Sequence, residues 1–228
     1  MQKSYVSMSV LVAGRMIDEY LHDGNTFVEG RDGSDYVLEF RNNYHRRVAI
    51  VGSVDGLSIM SGKPASVNDG AYILGPNETL AVTGWRLTDE MVAKFVFGQA
   101  PEGYAALTGH AEKTGVIGAC VFAEKPVFQD YSQTSFGPVM RSGNFGKAAS
   151  ASNSSGKLDM GTKFGEAAKF KTHSVGFERG ENLGLLQLYY ASAQVLRQRG
   201  VEMTRQNVSA PLPKAFSDGC TPPPGWRG

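Results

Sequence analysis

Hydrophobic and polar positions alternate with a period of two from the start of the chain. Val6, Met8, Val10 and Val12 stand against Ser7, Ser9 and Leu11 over residues 5–13, which predicts a strand with one buried face. RMIDEYL then gives way at HDGN to FVEG. Asp23-Gly24 is a dipeptide that accepts positive φ at both turn positions, so a hairpin or meander is expected there. Residues 36–40 and 48–54 are aromatic or β-branched runs separated by Asn42, Asn43 and Tyr44, and they read as an antiparallel pair closed by an Asp55-Gly56 turn. After the loop chemistry of GKPAS and NDG, alternation resumes in AYILGP and TLAVTGWRL.

The pattern changes at residues 88–94, TDEMVAK, where Thr88 is placed to cap one short helix before KFVFG returns to strand. GVIGACVFA, residues 115–123, is almost continuously apolar and predicts a central strand buried on both faces. Farther on, residues 171–178 and 183–191 read as strands, and residues 192–200 as a short helix stopped by Gly200. Short strands at regular spacing, without long intervening helices, predict a mainly β protein. The expected fold is an antiparallel, jelly-roll-like β-sandwich with one or two short helices, a long Gly/Ser-rich loop and an extended Pro-rich C-terminal tail.

The expected organisation is a sandwich core over residues 1–125, then an arm over 126–157 in which Ser, Gly and Asn surround isolated aromatics. Residues 158–210 return as strands and a short helix packed on the core. The tail, 211–228, holds five of the ten prolines, which set an extended polyproline-like backbone. Phe128, Tyr131, Phe136 and Phe145 in the arm and Trp226 in the tail are the candidate partner-binding residues.

Composition narrows the function classes. Twenty-three Lys and Arg against 22 Asp and Glu leave a net charge of +1, so no long-range field steers the chain to nucleic acid or anionic lipid. The opening MQKSYVSMSV lacks the apolar core of a signal peptide, and no apolar run is long enough for a membrane helix. Cys120 and Cys220 are too few for a disulfide framework and read as free thiols. No cofactor is expected, and no metal, because His22, His45, His110 and His173 lack ligand partners at close helical or turn spacing.

The remaining candidates each have a plainer reading. Gly62-Lys63 lacks the earlier glycine of a phosphate loop, since Leu57 stands there, and Pro64 replaces the hydroxyl residue. LDMGTKFGE, residues 158–166, could cradle an anion with backbone amides, or it could be a turn leading into the next strand. Asp18-Glu19 and Asp89-Glu90 read as solvated neighbours. Tyr44, beside His45 and flanked by Arg41, Arg46 and Arg47, could form a ligand platform, as could Trp85 and Tyr104. A solvated hairpin tip and a core position are the plainer readings of Tyr44 and Trp85.

The stretches RNNYHRRVAIVGSVDGLSIMSGKPAS, AYILGPNETLAVTGWR and GVIGACVFAEK, within residues 36–125, are similar to bacterial and phage β-rich proteins. That resemblance implies a β-rich core with a VDGL turn and a GKPA loop, and it carries over no activity and no functional residue.

The expected function is a non-enzymatic assembly protein, a phage-type virion component such as a capsid decoration or tail accessory subunit. Its partners would be itself and other assembly subunits, without nucleic acid or membrane; it would be made in the host cytoplasm and end in the virion. A carbohydrate or cell-surface binding module is the alternative. A third reading, an enzyme, would need a site built from His110, His173, Asp55 and Glu112.

Overall fold

The computed structural model describes residues 5–126 and 158–203. Two sheets pack face to face. The first is built from β1 (Val6–Val12), β2 (Arg15–Met16), β5 (Asp35–Asn42), β9 (Thr79–Val82), β10 (Gly84–Arg86), β11 (Met91–Gln99) and β13 (Met160–Lys169). The second contains β3 (Glu19–His22), β4 (Asn25–Glu29), β6 (Val48–Val54), β7 (Leu57–Ser58), β8 (Tyr72–Leu74), β12 (Val116–Glu124) and β14 (Arg179–Ala191). Pairing is antiparallel except between β14 and β4. Two short helices, α1 (Tyr104–Leu107) and α2 (Ala193–Gln198), complete a mainly β sandwich.

The alternation read from the sequence is the burial pattern of β1, whose Val6, Met8 and Val10 are at most 2% exposed. They meet the inward side chains of β5, Leu38 and Phe40, and of β6, Ile50 and Val54, in one continuous core. Asp23 and Gly24 take φ of 48° and 73°, closing the β3–β4 hairpin with His22 opposite Asn25. Ser192 caps α2 by accepting from the Val195 amide at 3.3 Å, and Gly200 follows it with φ 79°.

Five local expectations are corrected. β5 and β6 do not pair: β5 lies between β1 and β11 in the first sheet and β6 beside β12 in the second. The switch is made at Asn42, which is fully buried. Its Nδ2 lies 2.9, 3.2 and 2.8 Å from the carbonyls of Arg46, Leu74 and Gly75, while its Oδ1 accepts from the Tyr44 amide at 2.8 Å. A side chain that satisfies four backbone groups makes a corner, which the Asn-Asn-Tyr signal leaves undetermined.

Residues 88–94 form a turn and the start of β11 rather than a helix. The Thr88 hydroxyl accepts from the Glu90 amide at 3.2 Å within that turn, and burial of Val92, Ala93, Phe95 and Phe97 outweighs the capping signal. Residues 158–166 include neither a turn nor an anion cradle, because Met160–Lys169 is β13, paired along β11. Residues 171–178 carry no strand; the Thr172 amide donates to the Asp89 carbonyl at 2.9 Å and Val175 is exposed.

β12 is central in its sheet, between β14 and β6, with Ile117, Ala119, Val121 and Ala123 facing the core. It is not buried on both faces, since Val116, Gly118 and Phe122 on the opposite side are only half-buried. The returning segment joins both sheets, β13 to the first and β14 to the second. The expected arm and tail lie outside the described residues. Among those residues no helix is long and apolar enough to cross a membrane.

Candidate functional site

The half-buried face of β12 opens into a trough of about 690 Å³ on the outside of the second sheet. Register explains its shape. Val51, Cys120 and Leu185 form one cross-strand row, Ser53, Gly118 and Gln187 the next, and Val116 with Tyr189 a third. Gly118 sits mid-floor, where an added Cβ would meet the Ser53 Oγ at 3.1 Å, so the absence of a side chain there gives the trough its depth. Ala65, Ser66 and Val67 form part of the wall, with Arg179 Nη1 donating to the Val67 carbonyl at 2.6 Å. Gly56, with φ 78°, lies under the Lys113 side chain, which lines the trough beside Glu112.

The chemistry of this surface is largely apolar. Val67 and Leu185 are half exposed, and Leu158 and Tyr189 close one end. The Cys120 thiol lies 3.6 Å from Asn182 Nδ2, and burial pushes its pKa up, so it remains a neutral, weakly polar group. Gln187 donates to the Tyr189 hydroxyl, which leaves few free polar positions along the floor. A size of several hundred Å³, small residues on the floor and an edge on which Val67 and Leu185 stand with the charged Glu112 and Lys113 suit an extended segment bearing bulky side chains.

A second cluster lies between the sheets. Asp55, in the turn after β6, is 1% exposed and accepts from the Gly115 and Thr162 amides, each at 2.8 Å, and from the Tyr190 hydroxyl at 2.6 Å. The Thr162 Oγ1 lies 2.8 Å from the Tyr190 hydroxyl and 2.7 Å from that of Tyr36. Burial raises the Asp55 pKa, opposed by its hydrogen bonds, and raises those of Tyr36 and Tyr190 well above the ordinary phenol range. Sealed in the core, the cluster joins the sheets.

The ligand platforms are corrected in part. Trp85 is 2% exposed, packed on Phe95 and Tyr104 with ring centroids 5.3 and 5.2 Å away, so it presents no binding face. Half-buried Tyr104 lies between Trp85 and Phe164, its centroid 5.0 Å from the latter. Tyr44 packs on Tyr5 at 4.8 Å and under the Arg46 guanidinium, which also donates to its hydroxyl at 2.8 Å. Both tyrosine rings are taken up by neighbours rather than offered as open stacking faces. Arg47 in the same turn pairs with Glu124.

Phe128, Tyr131, Phe136, Phe145 and Trp226 lie outside the described residues. Of His110, His173, Asp55 and Glu112, only Glu112 lines the trough; Asp55 is held in the core and His173 is exposed. The trough escaped sequence reasoning because its small residues are scattered along the chain. The signal available for the Asp55 cluster was one acidic residue ending the apolar strand 48–54, read there as turn chemistry and as one member of a dispersed enzyme site.

Together these features define a two-sheet β-sandwich with an apolar trough on one outer face. Comparison of the chain with protein-family models, curated proteins and solved structures gives no match.

Proposed function

We propose that the chain is a non-enzymatic assembly protein that uses the trough on β6, β12 and β14 to hold an extended apolar segment of a protein partner. A phage-type virion component, a capsid decoration or tail accessory subunit, is the setting we propose. The observation that carries the reading is the trough itself: about 690 Å³ of apolar, glycine-floored space on a sandwich whose core is already complete without it. Contiguous exposed apolar surface of this kind marks interaction sites on soluble domains. The carbohydrate reading loses its main platform with the burial of Trp85.

Light-scattering mass across a concentration series tests the reading. The expected result is a discrete species heavier than the 24.5 kDa chain, shifted toward monomer by Leu185→Glu, which places a charge on the half-exposed rim without touching the core. A chain that stays monomeric over its whole soluble range overturns self-assembly as its function.

A further inference from the structure

We propose that the trough of one subunit is occupied by residues 204–228 of a second copy. The inference rests on the assembly reading above and names its partner.

The described chain ends in a cluster that shares two residues with the trough lining. Val201 is buried with Phe27, Ala191 and Leu196, its amide donating to the Leu196 carbonyl at 3.0 Å, and Met203 packs against the same cluster. Leu158 and Tyr189 belong both to that cluster's surroundings and to the trough lining. At least 25 further residues therefore start beside one end of the trough.

Length and composition then favour a neighbour over the same chain. The trough rows run from Val116–Tyr189 to Cys120–Leu185, four residues of strand or about 13 Å. The first seven residues beyond Met203, TRQNVSA, are mostly polar and span roughly 22 Å when extended. This polar spacer is longer than the trough, and the apolar stretch begins only beyond it, at Pro211. From there Leu212, Phe216 and Trp226 supply bulky anchors among Pro211, Pro213, Pro222, Pro223 and Pro224. The full 25 residues reach about 75 Å, enough to cross to an adjoining subunit.

The chemistry also suits this segment. Prolines restrict the backbone before binding, so ordering costs less than for the Gly/Ser-rich residues 127–157. Prolines also lack N–H groups, which makes the segment a poor strand-edge partner and a good occupant of a sheet face, where side chains alone give contact.

An exposed thiol on the trough wall and the native Cys220 provide the test. Val67, 55% exposed, lines the trough, and Cys220 lies within the segment. The full chain carrying Val67→Cys is treated with a short bismaleimide, separated by size under denaturing conditions and peptide-mapped, alone and combined with Leu185→Glu or Trp226→Ala. Support is an interchain link between position 67 and Cys220 in the dimer band, lost in both combined variants, with association weakened at least about tenfold. An intrachain link between the same two positions overturns the proposal in favour of the chain's own tail. Assembly with no such link and no response to either variant overturns it while leaving the assembly reading standing. A monomer at every concentration removes both.

Discussion

The Tyr190 hydroxyl donates to the Asp55 carboxylate across 2.6 Å, and the direction of the buried chain behind it follows. Because the Tyr190 proton is committed to Asp55, Tyr190 accepts from Thr162, and Thr162 in turn accepts from Tyr36. Tyr36 and Thr162 belong to the first sheet, Tyr190 to the second, and Asp55 to the turn after β6. A single ordered chain of hydroxyls thus links the layers, each bond polarising the next.

Removing the donor nearest the charge should cost most. Tyr190→Phe leaves the buried Asp55 carboxylate one donor short, and a loss of about 1–3 kcal/mol in urea unfolding is expected. Tyr36→Phe, at the far end of the chain, should cost about 1 kcal/mol or less. Equal losses for the two variants would contradict the ordering.

The same carboxylate predicts a pH dependence. Burial raises its native pKa above the ordinary value of about 3.9, so the folded chain binds this proton more tightly than the unfolded one. Its favourable contribution is complete below the unfolded value and is lost as pH rises through the raised native value. The stability advantage of the natural chain over Asp55→Asn should therefore shrink from acid toward neutral pH. Denaturant midpoints of both proteins measured in parallel check the sign.

Trp85 should behave as a core residue. Trp85→Ala is expected to destabilise by about 3–5 kcal/mol. Its indole nitrogen is buried without an acceptor among the described residues, so Trp85→Phe forfeits no hydrogen bond and should cost clearly less. Thermal or urea unfolding separates the two, and a Trp85→Ala protein of unchanged stability would contradict this packing.

Cys120 should alkylate slowly. It is 9% exposed, and burial raises its pKa, so little thiolate is available at neutral pH. Maleimide labelling of native protein followed by peptide mapping should find Cys120 modified far more slowly than after denaturation. Equal rates would mean that the trough floor is open to solvent.

Legibility followed the range of the interactions. The β1 alternation, the Asp23-Gly24 and Asp55-Gly56 turns and the α2 cap rest on neighbours in the chain, and each was readable from a few residues. The pairing of residues 36–40 with 48–54 misled because the sheet switch at Asn42 depends on the carbonyls of Leu74 and Gly75, more than thirty positions away. The glycines of β13 suggested a turn, yet close approach to β11 makes them strand residues. A Cβ at Gly165 would lie 2.8 Å from the Lys94 carbonyl oxygen.

By itself the sequence determined the β class, the tight turns and the apolar positions available for burial, because pleat and turn dihedrals are local properties of short runs. Tertiary structure alone decided which strands share a sheet, that Asp55 lies beneath Tyr190, and that Gly118, Ser53 and Ala65 meet to hollow out a trough. Those outcomes depend on which distant surfaces exclude water together, and single-chain periodicity carries no record of that choice.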